Sequence, residues 1–283
     1  MRRWYLRRFR PGYVAAMLAK RQGECPTYAN DVIDSRDLKF IRPGCGFWFH
    51  PTDDAFAYRE SLGFARWGYA ELVGFSSVLI VAATVFVILA LILHWLCWIL
   101  VAVCGVLLAE VVWFFRDPPR RIPDAPDALV SPADGTVTHV ETVNDEPDFP
   151  SPTLRVSIFL SVFNVHVNRV PRSGRVTAVR YFRGEYLDAR HAECAKRNEQ
   201  LWIDFEEATS SQPLRVKQVA GAIARRIVCK LKVGDQLTVG DRYGMIKFGS
   251  RTDVLIPISR VRAVMVQVGD KVKGGSTVLL RTR

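Results

Sequence analysis

A Gly-Ser pair near the carboxyl end of the chain has the residue types needed for backbone self-cleavage. Gly249 and Ser250 lie in the segment 243–254, where glycines interrupt a strand pattern. In a tight turn a serine hydroxyl can attack the preceding carbonyl, and β-elimination of the resulting ester leaves a pyruvoyl group in place of the serine. The ketone of this group, which no natural side chain supplies, can form a Schiff base with an amine. Because Gly-Ser is also common in ordinary β-turns, the pair needs support from the rest of the chain.

A carboxylate and a basic turn come from two other segments. Asp134 lies in Ser-Pro-Ala-Asp-Gly at 131–135, a tight turn in which an aspartate can do catalytic work or can cap its own backbone. The segment 218–227 predicts a strand that runs into a basic turn. Taken alone, each pattern is compatible with a purely structural role.

A histidine is the third candidate. The segment 159–171 predicts a strand in which Asn164, His166 and Asn168 alternate with apolar residues. Side chains two apart point to the same face of a strand, so these three would form one polar face. A lone strand histidine is often structural, but three polar side chains on one face are more typical of a site wall.

The elements that must position these residues are mostly strands. Between 116 and 283 the apolar residues alternate over short stretches, turns are frequent, and one helical stretch is predicted at about 187–199. A spacing V-G-D-x-[LV]-x-x-G occurs twice, at 233–240 and 268–275. The turn-strand units at 134–137 and 173–176 are the expected partners of these repeats. The arrangement is similar to the barrel-sandwich hybrid of lipoyl and biotinyl domains, so we predict a mainly β domain of that type.

An apolar run precedes this domain. Residues 72–115 are almost wholly apolar and much longer than the roughly 20 residues that one membrane span needs. Helices at 74–93 and 95–114 with a turn near His94 fit best, and a single tilted helix or a re-entrant pair are the alternatives. Arginines lie on both sides of the run, which favours a hairpin with both ends in the cytoplasm. The β domain that follows it would then also face the cytoplasm.

The composition limits the partners. Lys and Arg exceed Asp and Glu by 39 to 28, but this surplus is spread along the chain, so nucleic-acid binding has little support. A membrane rich in anionic lipid suits this surface better. The six cysteines show no CxxC spacing, which favours reduced, unpaired thiols in the cytoplasm. No metal is expected, and residues 1–71 form a basic and aromatic leader of unassigned role.

The ordered motifs together resemble the phosphatidylserine decarboxylase family, most closely its short, single-domain branch. They are Phe-Phe-Arg-Asp-Pro at 114–118, Ser-Pro-Ala-Asp-Gly at 131–135, Asn-Val-His-Val-Asn-Arg at 164–169, Ala-Arg-Arg-Ile at 224–227 and Phe-Gly-Ser-Arg at 248–251. The apolar segment upstream also fits that branch, while the leader lies outside the pattern. Several ordered motifs in one chain are far more specific than any one of them.

The resemblance implies a proenzyme that cuts itself between Gly249 and Ser250. The products are a β chain of 1–249 and an α chain of 250–283 that begins with the pyruvoyl group, the covalent cofactor, and the two chains stay together as a heterodimer. The family substrate is phosphatidylserine in the cell membrane, which is decarboxylated to phosphatidylethanolamine through a Schiff base. A homo-oligomer of this heterodimer is also compatible with the sequence.

The resemblance also implies an Asp-His-Ser triad for the cleavage. By motif, Asp134 orients His166, and His166 removes the proton from Ser250. Longer members of the family carry two histidines where this chain has one, so His139 and His191 are further candidates.

The anionic head group needs cationic contacts near the ketone. Arg251, Arg183 and Arg169 are the candidates, although surface solvation is the alternative for each. A membrane hairpin suits a substrate with two acyl chains, which would otherwise have to leave the bilayer.

Three alternatives stay open at this point. A close variant would act on archaetidylserine, because sequence cannot separate lipid tails. The second alternative is a non-catalytic membrane-anchored adaptor or carrier of the same fold. A carrier would need an acceptor lysine, and although Lys271 and Lys273 flank Val272, no Met-Lys-Met-like tip is present. A serine hydrolase using Ser250 and His166 in an uncut chain lacks the Gly-x-Ser-x-Gly elbow.

Overall fold

The computed structural model describes residues 2–25, 32–38, 46–191, 193–208, 210–222, 226–247 and 249–283. Parts of the segments singled out above, residues 223–225 and residue 248, therefore lie outside the described residues. The chain begins with two short helices, α1 (Arg2–Phe9) and α2 (Pro11–Lys20), followed by single helical turns between residues 51 and 68.

Two long apolar helices follow, α3 (Tyr69–Ile92) and α4 (Cys97–Phe114), and they pack against each other. Both are long and apolar enough to cross a membrane. Between them the backbone N–H of Leu96 donates to Nδ1 of His94, so this histidine caps the turn. The predicted pair of helices is confirmed, with boundaries within a few residues.

The remainder is mainly β, as predicted. Its strands are β1 (Ala128–Val130), β2 (Gly135–Val143), β3 (Thr153–Leu160), β4 (Val167–Arg169), β5 (Gly174–Phe182), β6 (Gln200–Glu207), β7 (Pro213–Ala220), β8 (Ile227–Cys229), β9 (Gln236–Leu237), β10 (Arg242–Ile246), β11 (Ser250–Pro257), β12 (Val261–Val264), β13 (Lys271–Val272) and β14 (Val278–Thr282). Eight of them form one curled half-barrel sheet in the order β13-β2-β3-β11-β7-β6-β5-β9. Two three-stranded sheets, β1-β14-β12 and β4-β10-β8, complete the domain.

The sheet curls because its apolar side chains must be buried together. Alternate residues of β3, β6, β7 and β11 are inaccessible to solvent and form one core. β11 lies inside the large sheet, between β3 and β7, and all eight of its residues are buried. The first residue of this inner strand is Ser250.

The predicted repeat is present as a duplicated pairing. β13 pairs with β2 and β9 pairs with β5, which are the partners expected from the sequence. In the first unit the backbone N–H of Gly269 donates to the Val137 carbonyl at 2.8 Å, and in the second the N–H of Gly234 donates to the Val176 carbonyl at the same distance. Both glycines have φ above +90°, a left-handed conformation that favours glycine.

Two local predictions were wrong. Among its described residues, the helical stretch predicted at 187–199 contains one short helix, α5 (Cys194–Arg197). The segment 159–171 is not one strand, because β3 ends at Leu160 and β4 begins at Val167. The side chain of Asn164 accepts from the N–H and the hydroxyl of Ser161, and this local turn replaces the strand pairing.

The expectation of unpaired cysteines was also wrong for one residue. Cys25 is disulfide-bonded, whereas Cys97, Cys104, Cys194 and Cys229 are free. A disulfide needs two Cα atoms within about 7 Å of each other, whatever their spacing in the sequence. The lack of a CxxC pattern therefore did not exclude it.

Candidate functional site

Ser250 begins the inner strand β11 with its hydroxyl enclosed by protein. Its Cα is paired with Leu160 of β3 on one side and with Ala220 of β7 on the other. The residue is fully buried, and Oγ has no hydrogen-bond partner among the described residues. A buried hydroxyl without a partner costs free energy, so this arrangement is typical of a reactive group rather than a structural one.

The peptide bond ahead of Ser250 lies in a left-handed turn. Gly249 has φ +59°, a region that residues with a Cβ rarely adopt. Its carbonyl lies against Gly221, where a Cβ would be only 2.5 Å from the Gly249 oxygen. Glycine at 221 therefore allows the carbonyl of the Gly249–Ser250 bond to reach its position at the end of β7.

Gly221→Ala should slow the predicted cleavage at this bond by roughly ten- to a hundredfold, because the added methyl group displaces the Gly249 carbonyl. Gel densitometry of freshly synthesised protein measures the rate. Gly174→Ala is the matched control, since its Cβ would crowd the Glu206 carbonyl at 2.4 Å, far from Ser250. Equal cleavage rates in the two folded variants would show that Gly221 has no special effect on this bond.

His166 contacts the backbone of the same turn. It lies at the end of the Asn164 turn, immediately before β4, and it is 1 % exposed. Its Nδ1 is 2.9 Å from the Asn164 carbonyl oxygen, and its Nε2 is 3.3 Å from the backbone nitrogen of Gly249. The carbonyl can only accept, so Nδ1 carries the proton and Nε2 is the basic nitrogen.

The surroundings keep this imidazole neutral. Burial lowers the pKa of His166 to about 4, the bond to the Asn164 carbonyl opposes that shift, and the charge of Arg116 adds to it. The ring of Phe114 lies against the imidazole with 4.3 Å between ring centroids. At neutral pH a basic nitrogen therefore faces the residue that precedes Ser250.

Asp134 holds a turn together. Its carboxylate accepts from Nη2 of Arg120 at 2.8 and 2.9 Å and from the backbone N–H of Gly274 at 2.8 Å. In the other half of the duplicated fold, Ser173 accepts from the N–H of Val239 at 2.9 Å in the same way. Among the described contacts none joins Asp134 to His166, whose Nδ1 is held by Asn164 instead. The orienting role of Asp134 stays a prediction.

A buried amide network lies beside Ser250. Nε2 of Gln218 donates to Oδ1 of Asn168 at 2.7 Å, and Nδ2 of Asn168 is 3.4 Å from Oγ1 of Thr252. Thr252 and Ser250 point to the same face of β11, since they are two residues apart. Oε1 of Gln218 has no partner among the described residues. The sequence pointed to Asn168 but not to its two partners, which come from other strands.

The three arginines proposed for the head group differ in their surroundings. Arg169 is buried against Asp117 and the Gly240 carbonyl. Arg251 is buried, bonds to Asp253 and Ser157, and points to the face of β11 opposite Ser250. Arg183 is exposed. The internal partners of Arg169 and Arg251 fit a structural role better than head-group binding.

The other two histidines lie elsewhere. Nδ1 of His139 is 3.0 Å from the hydroxyl of Thr138, and Nδ1 of His191 accepts from the backbone N–H of Glu193. Neither has a described contact with the turn at 249–250. Over the described ranges, no group of three or more His, Cys, Asp or Glu side chains could hold a metal ion.

Comparison with known proteins gives consistent matches. The family model for phosphatidylserine decarboxylase matches residues 107–280. A protein of Rhodopirellula baltica is 41 % identical over 245 residues, which is 86 % of this chain and 98 % of the relative. A protein of Chlorobium chlorochromatii is 46 % identical over 182 residues, 64 % of this chain and 84 % of the relative. Both relatives are named phosphatidylserine decarboxylase proenzyme.

The first of these alignments also corrects one expectation. It spans 245 residues, more than the length from 72 to 283, so it includes part of the leader 1–71. The leader is therefore not wholly outside the similarity.

Proposed function

The chain belongs to the phosphatidylserine decarboxylase family, a family of carboxy-lyases, and we propose that it matures by cutting itself between Gly249 and Ser250. The observation that carries this proposal is the hydrogen bond of 3.3 Å that the backbone N–H of Gly249 donates to Nε2 of His166, one residue ahead of a buried serine hydroxyl that has no partner among the described residues. The substrate is phosphatidylserine and the products are phosphatidylethanolamine and carbon dioxide.

Self-cleavage needs a base, a nucleophile and a strained or well-placed carbonyl. Nε2 of His166 takes the proton from Oγ of Ser250, and Oγ attacks the carbonyl carbon of Gly249. The Gly249–Ser250 C–N bond breaks as the nitrogen gains a proton, which leaves an ester. Loss of the Ser250 α proton then breaks the ester bond to Oγ and releases Gly249 with a free carboxylate. Water next adds to the α carbon of residue 250, the nitrogen leaves as ammonia, and a ketone remains.

The residues around Ser250 fit a pyruvoyl group at this position. The turn at Gly249 places the new end of the α chain inside the sheet, next to the neutral His166 and the amide network of Asn168 and Gln218. Once formed, the ketone supplies an electron sink for loss of the substrate carboxylate. We propose that His166 then holds the proton that is delivered to the substrate carbon, and that the amides orient the carbonyl groups.

The division of the chain follows from the same proposal. Residues 1–71 form the leader, 72–115 the membrane hairpin and 116–283 the catalytic domain. Basic residues flank both ends of the hairpin, so we place the catalytic domain on the cytoplasmic face of the cell membrane. The cut chains stay together, because β11 of the α chain is paired on both sides with strands of the β chain.

The pH dependence of self-cleavage tests the role of His166. Because the pKa of the buried imidazole is about 4, we expect a constant rate from pH 8 to pH 5 and a fall as the pH drops through about 4. The unfolded histidine binds its proton near pH 6.5, so folding stability also decreases below that pH. Rates from gels, with circular dichroism to select conditions in which the protein stays folded, measure the profile. An inflection near pH 6.5 would contradict the assignment.

The activity itself is tested with purified protein in vesicles of phosphatidylserine. We expect release of carbon dioxide and formation of phosphatidylethanolamine. A serine lipid with ether-linked tails, such as archaetidylserine, is assayed in parallel to compare decarboxylation of two lipids that share the head group and differ in their tails. Turnover of neither lipid by cleaved protein would contradict the proposed function.

A further inference from the structure

An ion pair connects the first turn of α3, the first helix of the hairpin, which begins at Tyr69 and so includes the last residues of the leader, to the segment ahead of the cleavage site. Nζ of Lys247 lies 2.6 Å from Oε1 of Glu71, in the first turn of α3. The Lys247 side chain is 8 % exposed and that of Glu71 25 %. Lys247 follows the last residue of β10 and precedes Ser250 by three positions, so the pair fixes the chain just before the turn that is cut.

The other end of the hairpin reaches the base. Phe114, the last residue of α4, lies against the imidazole of His166. Beside it, Nε1 of Trp113 and Nη2 of Arg116 both donate to the Phe163 carbonyl, at 3.0 and 3.1 Å, in the turn that carries His166. The start of α3 therefore contacts the segment ahead of Gly249, and the end of α4 contacts the histidine that bonds to Gly249.

An apolar cluster joins these contacts. It contains residues from both helix ends, from the turn before β4, and from β4, β8 and β10, all less than 10 % exposed: Leu72, Phe114, Phe115, Val165, Val167, Val228 and Met245. Because packed interiors are dense, a shift of either helix end changes the positions of β4 and β10. These two strands adjoin the turn with the base and the turn with the scissile bond.

We propose that the membrane hairpin is part of the self-cleavage centre: Glu71 and Lys247 position the chain ahead of the scissile bond, and Phe114 positions and desolvates the base. This inference rests on the proposed self-cleavage. It assigns positioning roles to residues outside the Ser250, His166 and Asp134 motifs. Folding of the hairpin would then be required for maturation as well as for attachment to the lipid.

The physical reason is the geometry that the reaction needs. Gly249 must hold φ +59° while its carbonyl carbon meets Oγ of Ser250, and a free segment at 247–249 would sample many other conformations. Separating a buried ammonium from its carboxylate costs free energy, because it leaves a buried charge without a partner. The ion pair therefore restrains this segment strongly. Burial lowers the pKa of Lys247, and the neighbouring carboxylate of Glu71 opposes that shift.

The first experiment compares charge variants of the full chain made by cell-free synthesis with lipid nanodiscs. Lys247→Met and Glu71→Gln should each slow cleavage about tenfold or more, and Lys247→Arg should keep most of the rate. The double variant Glu71→Lys with Lys247→Glu should recover part of the loss. Glu141→Gln, which breaks the more exposed pair with Arg155, is the matched control and should cleave at the normal rate.

The second experiment uses the pH profile. Phe114→Ala admits water to His166, so the inflection of the cleavage rate should move from about pH 4 towards pH 6.5. Arg116 is the charged group that acts on this imidazole, and Arg116→Gln controls for its contribution. A change that only loosened the fold would lower the rate without moving the inflection.

The outcomes separate the two proposals. If the unchanged chain does not cut itself, the proposed function fails. If it does, while the folded Lys247, Glu71 and Phe114 variants all cut at its rate with the same inflection, only the role of the hairpin is overturned. Melting temperatures identify variants that fail to fold. In that case the test is the charge-reversed double variant Glu71→Lys with Lys247→Glu. If it cuts itself no faster than either single charge reversal, the positioning role of the ion pair is overturned.

Discussion

Ser250→Ala is expected to remain a single uncut polypeptide without decarboxylase activity. Alanine has no Oγ, so no ester can replace the Gly249–Ser250 amide and no ketone can form. The fold should tolerate the change, because Oγ of Ser250 makes no hydrogen bond in the described structure. A denaturing gel should show one band of full size, in contrast to the two fragments expected of the unchanged protein.

Two controls sharpen this result. Ser210→Ala removes a hydroxyl that bonds to Glu207, away from the site, and should cleave normally. Circular dichroism should show that the Ser250 variant is folded. An uncut Ser250→Ala chain that still decarboxylates phosphatidylserine would rule out the pyruvoyl mechanism.

His166→Ala should slow self-cleavage by about 10²- to 10⁴-fold, the usual contribution of a general base. No other described side chain places a basic nitrogen beside Gly249, so little replacement is available. The fraction of cut chain after timed synthesis measures the effect, and His139→Ala and His191→Ala serve as controls. Normal cleavage of the His166 variant, or loss of cleavage in a control, would move the base assignment.

The contacts of Asp134 favour a role in the turn rather than a direct contact with the base. Its carboxylate holds Arg120 and the backbone of Gly274 and has no described contact with His166. Asp134→Asn loses the negative charge but can still accept one of these hydrogen bonds. The variant therefore distinguishes a catalytic role of the charge from a structural role in the turn. Comparison with His166→Ala shows whether the two residues act as a unit.

The features predicted well from the sequence are those with local signals. The apolar run at 72–115 is long enough to determine two helices, and the repeated Val-Gly-Asp turns identified both strand pairings of the half-barrel. Glycine with positive φ and aspartate that caps its own turn are encoded within a few residues. The fold class was therefore accessible from the sequence.

The features that were missed depend on long-range contacts or on competing local bonds. Asn164 bonds to Ser161 and ends the strand that alternation predicted, and its carbonyl then orients His166. Glu71 and Lys247 are 176 residues apart in the sequence, so no spacing rule connects them. The clash that makes glycine necessary at 221 exists only because β7 lies beside β11.

The mass of the small chain in purified, active protein tests the account most directly. We predict a 34-residue polypeptide of residues 250–283 that is lighter than the plain peptide by one ammonia and resists amino-terminal sequencing. Its partner should end at Gly249 with a free carboxylate. Active material that contains only the intact 283-residue chain would contradict self-cleavage and the mechanism built on it.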